Sequence, residues 1–279
     1  MNHLSLFSGI GGIDLAAEAA GFRTVAFVER DPYCQRVLRK HWPDVPIFAD
    51  VRSLTADPLR SRRNSGECGQ EGRLPPSKRR IESKEQSWGG WFDWFGENGE
   101  IRAGLLTGGF PCQPHSVAGK RKASGDERDL WDECARITSE FKPRWCVFEN
   151  VPGLLTSERG SFFARILDDL ASLGYRTGWG VWGAVDVGAP HRRNRIFIVA
   201  HTNKPSGKGN ERPKREKQER TNHFEHCGWS VEPGIRRVVD GIPNRAHRLR
   251  ALGNAVVPQQ AYPIFKAIAE IEGICLVNP

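Results

Sequence analysis

Cys112 is the residue of this sequence whose surroundings point most clearly to chemistry. It lies at the centre of Gly108-Gly-Phe-Pro-Cys-Gln-Pro-His-Ser116, after a short apolar run. Ligand crevices form at the carboxyl ends of strands in open α/β sheets, so a turn at Gly108 would bring Cys112 to such a crevice. A lone cysteine is most often a small buried apolar residue, but one between prolines on a glycine-flanked loop is difficult to place in a core. Partial exposure in an electropositive surrounding would make its thiolate a nucleophile.

An acidic residue and two arginines are the next candidates. Glu149 follows the apolar run Trp-Cys-Val-Phe and begins Glu-Asn-Val-Pro, so we expect its carboxylate to point into the same crevice. Arg193 and Arg195 precede the apolar run Ile-Phe-Ile-Val-Ala. In extended structure these two arginines would project to one face, where they could bind a phosphate or stabilise a thiolate. A surface run of charges is the alternative interpretation.

A third group of residues is typical of a nucleoside-cofactor site. Phe7-Ser-Gly-Ile-Gly-Gly12 stands between a predicted strand and a predicted helix, where glycines let the backbone approach a ligand beside the positive end of the helix. Glu29 ends the next predicted strand and could accept both ribose hydroxyls. Asp50 ends the third predicted strand and could reach an exocyclic amine. Exposed turn residues are the alternative for either carboxylate.

The elements that must position these residues follow an α/β order. Strand–helix–strand–helix order favours a parallel sheet with right-handed crossovers. Asp31 followed by proline is typical of a helix start, and Gly21 of a helix end. We predict strands at 3–7, 24–29, 47–50, 104–108, 145–149, 175–185 and 195–200, and helices from about 12, 32–41, 128–141, 161–173 and 260–272.

Two stretches lack this periodicity. Residues 55–100 are charged and low in aliphatic residues, which indicates a disordered or extended insertion, and they end in the aromatic group 88–95. Residues 201–250 carry twelve Lys or Arg and six Asp or Glu, within a chain of 279 residues and net charge +8. The excess favours a polyanionic partner, although solubility alone is the simpler explanation.

Several classes of protein are disfavoured by composition. The seven cysteines include no Cys-x-x-Cys, so we expect no disulfide framework and a reducing, cytoplasmic location. His223, His226 and Cys227 lack a fourth ligand at suitable spacing, and we predict no metal site. No apolar run approaches the ~20 residues that span a bilayer, and the first residues do not form a signal peptide.

Taken in order, the motifs resemble the DNA (cytosine-5)-methyltransferase family. The matching stretches are Phe-Ser-Gly-Ile-Gly-Gly, Glu29, Asp50, Gly-Phe-Pro-Cys-Gln-Pro-His-Ser, Glu-Asn-Val, His-Arg-Arg-Asn-Arg and Arg-Ala-Leu-Gly-Asn-Ala-Val-Val-Pro (250–258). They cover most of the chain outside 55–100 and 201–240. The resemblance implies a Rossmann-like sheet of the S-adenosylmethionine-dependent methyltransferases, mostly parallel, with helices on both faces and one antiparallel strand near 195–200. It also implies a catalytic domain over 1–200, a small basic target-recognition insert over 201–245, and a segment, 246–279, that returns to the catalytic domain.

The family resemblance also implies residue roles. Cys112 would attack C6 of a cytosine flipped out of duplex DNA, and the methyl group of S-adenosylmethionine would pass to C5. Glu149 would form hydrogen bonds with N3 and the amino group of the cytosine. Arg195 would orient the ring near Cys112, and Arg193 would support the loop or backbone. The positions that match the cofactor pocket of the family are Phe7, Gly9, Ile10, Gly11, Glu29, Arg30, Asp50, Val51, Pro111, Leu130, Asn254 and Val256.

Departures from the family pattern leave alternatives open. His115 stands where phenylalanine is common and His191 where glutamine is usual, and the target-recognition stretch is very short. Double-stranded DNA is the expected partner and a monomer the expected state. A restriction enzyme partner, an orphan enzyme and a phage enzyme all remain open. A tRNA methyltransferase of the same family and a non-catalytic DNA-binding protein are the rival interpretations.

Overall fold

Seven strands form one mixed sheet that crosses the protein. In the computed structural model, the described residues are 1–56, 103–111, 130–202 and 245–274. The strands have the spatial order β3-β2-β1-β4-β5-β7-β6. All neighbouring pairs are parallel except those that β7 makes with β5 and β6. The strand bounds are β1 Asn2–Leu6, β2 Arg23–Val28, β3 Ile47–Phe48, β4 Leu105–Gly108, β5 Trp145–Asn150, β6 Tyr175–Trp182 and β7 Arg195–Thr202.

Helices cover both faces of this sheet. Their bounds are α1 Gly12–Ala19, α2 Pro32–His41, α3 Trp131–Phe141, α4 Ser161–Ser172, α5 Arg245–Asn254 and α6 Pro258–Glu272. Local sequence explains several of their ends. The Asp31 side chain accepts a hydrogen bond from the Tyr33 N–H at 2.7 Å, and proline occupies the first helical position of α2. Gly21, which follows α1, has a φ of 86°, a conformation that glycine adopts without steric cost.

The core consists of two apolar layers, one on each face. Because successive side chains of a strand point to opposite faces, β5 contributes Cys146 and Phe148 to the layer under α3 and α4, and Trp145 and Val147 to the layer under α1 and α6. Strand β7 follows the same alternation. Helix α6 therefore packs with α1 on one face, although the two helices are far apart in sequence.

The predicted architecture is confirmed, with corrections to two strands. The strand predicted at 175–185 ends at Trp182, and Ala184–Val187 form a 3-10 turn instead. The sheet is mostly parallel, its single antiparallel strand is β7, and helices lie on both faces. The third strand is shorter than predicted, because only Ile47 and Phe48 pair with β2. Asp50 therefore does not end a strand. Its carboxylate caps the short 3-10 turn Val51–Ser53 and accepts a hydrogen bond from the Arg52 N–H at 2.9 Å.

Some predictions fall on residues that the structure does not describe. The charged insertion lies almost entirely outside the described residues, and so do the aromatic group 88–95, the histidines of 223–226 and the basic insert. Among the described helices, none combines the length and apolar character needed to cross a membrane. In the same part of the chain, no group of three or more His, Cys, Asp or Glu side chains could hold a metal ion.

A buried polar group between α1 and the sheet was not foreseen from the sequence. His3 is fully buried in β1, and its ring nitrogens lie 3.1 Å from the Thr24 hydroxyl and 2.8 Å from the Thr107 hydroxyl. The Asp14 carboxylate lies 3.9 Å from Nδ1 of His3 and is also fully buried. Burial lowers the pKa of His3 to about 3 and raises the pKa of Asp14 to about 7, so both groups are uncharged near pH 5.

Candidate active site

The candidate site lies at one edge of the sheet, where the parallel strands end. The turn after β1, the turn after β4 and the last residues of β5 reach this edge. The antiparallel strand β7 begins there, because Asn150 at the end of β5 pairs with Ile196. Predicted candidates that are separated by more than a hundred residues in sequence therefore share one edge.

The glycine turn after β1 is tightly enclosed by neighbouring residues. A Cβ on Gly11 would come within 2.6 Å of the Trp42 ring, and one on Gly12 within 2.4 Å of the Val256 carbonyl oxygen. Gly9 and Gly11 have positive φ angles of 58° and 88°. A Cβ on Gly9 would meet nothing within 4 Å, so the turn is open at this residue. Packing therefore requires glycine at 11 and 12, while Gly9 leaves space in which a ligand could approach the backbone.

Glu29 fixes the open part of this turn. Its carboxylate accepts hydrogen bonds from the Gly9 N–H and the Asp31 N–H, each at 2.7 Å. Burial raises the pKa of Glu29, and these two backbone donors offset part of the rise. Because each carboxylate oxygen has two lone pairs, Glu29 can accept further hydrogen bonds from ribose hydroxyls.

The other predicted cofactor residues are less closely gathered. Val256 is buried with its carbonyl against Gly12, and Val51 is buried in the core layer that Phe7 and Leu130 also contact. The exposed residues of the predicted set are Arg30, Asp50 and Asn254, and the partly buried ones are Ile10 and Pro111. The structure thus brings the glycine turn together with Glu29 and Val256.

A buried ion pair stands at the end of β5. Nε of Arg195 lies 2.8 Å from Oε1 of Glu149, and the two side chains are 14% and 9% exposed. Burial raises the pKa of Glu149 to about 7, although the charges of Arg195 and Arg193 act to lower it. At neutral pH this carboxyl group can therefore donate or accept a proton, which suits an acid in catalysis.

The turn that leads to Cys112 contacts this ion pair. A Cβ on Gly109 would lie 3.2 Å from Oε2 of Glu149, so a side chain at this position would crowd the carboxylate. The Asn150 amide donates to the Phe110 carbonyl at 3.1 Å, and its oxygen accepts from the Val151 N–H at 2.9 Å. Glu149 and Asn150 thus hold the start of the Pro-Cys-Gln loop. Cys112 itself and His115 lie outside the described residues.

Arg193 is not in extended structure, which corrects the argument that strand alternation brings the two arginines to one face. Arg193 has a φ of 36° and precedes β7, which begins only at Arg195. Its guanidinium donates to the carbonyls on either side of Asn254, those of Gly253 at 2.7 Å and of Ala255. The side-chain alternation of a strand does not apply to such a turn, so Arg195 reaches Glu149 while Arg193 reaches the backbone before α6.

Comparisons with known proteins agree with this architecture. The family model described as C-5 cytosine-specific DNA methylase matches residues 1–62 and 96–228. The chain belongs to this family. Members of the C-5 cytosine-specific DNA methylase family are methyltransferases, and the described sheet carries the glycine turn, the Glu-Asn-Val segment and the arginine turn at one edge.

Individual relatives of this family differ in how far they match. The type II methyltransferase M.AquIA of Picosynechococcus is 30% identical over 208 residues, which are 71% of this chain and 71% of that protein. M.NgoMIV of Neisseria gonorrhoeae, also a type II methyltransferase, is 31% identical over 72% of this chain, but the match spans only 51% of its own length. A crystal structure of an E. coli prophage-encoded DNA modification methyltransferase has a TM-score of 0.53 at 23% identity, over 72% of this chain and 47% of that one, and supports the fold.

Proposed function

We propose that this methylase acts on the C5 position of cytosine in double-stranded DNA. The observation that carries the proposal is the buried Glu149–Arg195 pair at the edge of the sheet, against the turn that leads directly to Cys112. A carboxyl group with a pKa of about 7 beside a guanidinium can donate a proton to a ring nitrogen and orient a flat polar base. A solely DNA-binding protein has no need for such a buried, tuned pair.

S-adenosylmethionine is the proposed cofactor, and it would supply an electrophilic methyl group bound to a sulfonium. The chain offers a suitable donor and acceptor set, since Gly9 leaves open space and Glu29 stands beside it with free lone pairs. The remaining members of the pocket are proposed from the resemblance. They are Phe7, Ile10, Gly11, Arg30, Asp50, Val51, Pro111, Leu130, Asn254 and Val256.

The residues of the chain divide the chemistry between them. The thiolate of Cys112 adds to C6 of the extruded cytosine, and Glu149 gives its proton to N3, so that C5 gains enamine character. C5 would then receive the methyl group, the sulfonium becoming a thioether. A base from solvent takes the C5 proton, Glu149 takes back the proton from N3, and expulsion of the Cys112 thiolate restores the C5–C6 double bond. Arg195 holds Glu149 and orients the ring, and Arg193 supports the backbone beside it. Flipping the base out of the duplex costs a few kcal/mol.

The proposed partner and organisation follow from the charge of the chain and from its relatives. The net charge of +8 supports a polyanion as partner. The ten Lys or Arg against six Asp or Glu within 201–245 support a DNA-facing insert there, between catalytic segments 1–200 and 246–279. The named relatives are type II methyltransferases, which supports a modification enzyme, either paired with a restriction endonuclease or encoded alone or by a phage. We propose a monomer.

The test is methyl transfer from labelled S-adenosylmethionine to duplex DNA and, in parallel, to tRNA. We expect label in DNA, and bisulfite sequencing of DNA from expressing cells should then give the position and context of the modified cytosines. The Cys112→Ala variant should bind the cofactor and transfer nothing. Label in tRNA alone would overturn the DNA substrate, and turnover by Cys112→Ala would overturn the nucleophile.

A further inference from the structure

One buried amide ties together both ends of the loop between β6 and β7, which we call the arginine loop (residues 183–194). Gln260 lies in the first turn of α6 and is 3% exposed. Its Nε2 donates to the Trp182 carbonyl at 2.5 Å and to the Arg193 carbonyl at 3.1 Å. Trp182 is the last residue of β6, and Arg193 stands two residues before β7 begins. This side chain therefore links α6 to both ends of the loop, which are also joined by the pairing of Trp182 with Arg195 and by the Ala184 N–H, which donates to the Arg192 carbonyl at 2.6 Å.

The orientation of this amide is fixed by chemistry. Both neighbours of the terminal nitrogen are carbonyl oxygens, so an exchange of nitrogen and oxygen would set three acceptors against one another. The other end, Oε1, is buried without a hydrogen-bond partner in the described structure. A buried polar atom without a partner costs free energy. The two hydrogen bonds donated by Nε2 must offset this cost for a glutamine to be stable among the apolar residues of α6.

The contact is reciprocal. While Gln260 donates to the backbone at Arg193, the Arg193 guanidinium donates to the backbone at Gly253 and Ala255, just before α6. The next residue along, Val256, presses its carbonyl against Gly12 of the glycine turn. These contacts join the cofactor side of the sheet edge to the loop from which Arg195 extends to Glu149.

We propose that Gln260 is a positioning residue, which together with Arg193 forms a clasp that holds the arginine loop so that Arg195 stays on Glu149. The proposal rests on the proposed function for its effect on catalysis, but the clasp itself can be tested without it. If the clasp opens, the backbone at Arg193 loses its tie to α6, and the guanidinium of Arg195, two residues later, is no longer held at 2.8 Å from the carboxylate.

The test compares Gln260→Met, which keeps the length and apolar stem but has no donor, with Gln260→Glu, which has no donor when ionised and only one when protonated, and so cannot replace both donated bonds. The matched control is Ile268→Ala, a buried apolar residue of the same helix that contacts the core and not the loop. Hydrogen exchange should become faster in residues 183–194 in both Gln260 variants. In Ile268→Ala, exchange in this loop should match the wild type when each protein is measured the same number of degrees below its own melting temperature.

Catalysis gives the second readout. In Gln260→Met we expect single-turnover methyl transfer to fall roughly 10- to 100-fold, as for displacement of a catalytic group by about 1 Å. We also expect the descending limb of the pH–rate profile to move to higher pH, as in variants of Arg195 itself, and Ile268→Ala should leave the limb in place. Loop exchange that is unchanged in both Gln260 variants would overturn the clasp. If the wild type transferred no methyl group, the proposed function would fail, and loop exchange would still decide the clasp.

Discussion

Two buried carboxyl groups of this protein have nearly the same pKa and entirely different settings. Burial raises the pKa of Glu149 and of Asp14 to about 7 in each case. Glu149 ends a strand at the sheet edge, with Arg195 at 2.8 Å. Asp14 lies in the first turn of α1, with the neutral ring of His3 at 3.9 Å and no hydrogen-bond partner among the described residues for either carboxylate oxygen.

The difference teaches that a raised pKa does not identify a site without geometry. Burial is the largest cause of the raised pKa in both places, and structural groups can have such a pKa as well as catalytic ones. Glu149 is distinguished by the edge at which it lies, by its cation and by the turn towards Cys112. We therefore expect substitutions at Glu149 to change chemistry and substitutions at Asp14 to change stability.

The largest expected effect is that of Glu149→Gln. The amide keeps the size of the side chain but cannot give a proton to N3, so single-turnover methyl transfer should fall by about 10²- to 10⁴-fold. Affinity for S-adenosylmethionine, measured by calorimetry, should stay within a few-fold of the wild type. Methyl transfer at the wild-type rate would remove Glu149 from the mechanism.

A smaller effect is expected when Arg195 is replaced by Lys. The proposed mechanism needs protonated Glu149, so kcat/KM for DNA should decline as pH rises through about 7. Since Arg195 lowers the pKa of this carboxyl group, a shorter and less well placed cation should move the decline to higher pH. The measurement is kcat/KM between pH 6 and 9. A decline that stays in place, or moves to lower pH, would contradict the coupling of the pair.

The smallest effect on methyl transfer, but a clear effect on stability, is expected for Asp14→Asn. Between an unfolded pKa near 3.8 and a folded pKa of about 7, the native protein keeps a proton that the unfolded chain releases, so this group makes the free energy of unfolding fall as pH rises through that window. Asparagine does not titrate, so Asp14→Asn should raise the free energy of unfolding at pH 7 by up to roughly 4 kcal/mol.

His3 provides the internal check on that prediction. Its pKa is lowered, so its contribution to stability is present above pH 6.5 and is lost as pH falls towards 3, opposite in sign to that of Asp14. Denaturant unfolding between pH 4 and 8 should thus depend more steeply on pH in Asp14→Asn than in the wild type, with stability rising towards pH 7. A large loss of activity at full stability would instead give Asp14 a role in the site.

The same contrast explains what could be predicted from the sequence. The bounds of α2 depend on Asp31 and Pro32, and the place of Glu149 depends on the continuous apolar run that it follows. Local pattern was therefore sufficient for both. The turned backbone at Arg193 is stabilised by contacts with residues some sixty positions later, and the Gln260 amide by carbonyls 67 and 78 positions earlier. No local periodicity encodes such pairs. The polar group around His3 was missed for the same reason, since its partners come from three different elements.

The most direct test of the central claim uses DNA in which 5-fluorocytosine replaces the target cytosine, in the context that bisulfite sequencing identifies. Fluorine cannot leave C5 as the proton does, so the enzyme should remain bonded to C6 after methyl transfer. With S-adenosylmethionine present, we predict an adduct that survives denaturation and whose bonded peptide contains Cys112, and none with Cys112→Ala. An active wild-type protein that forms no adduct, or one bonded through another residue, would contradict the account.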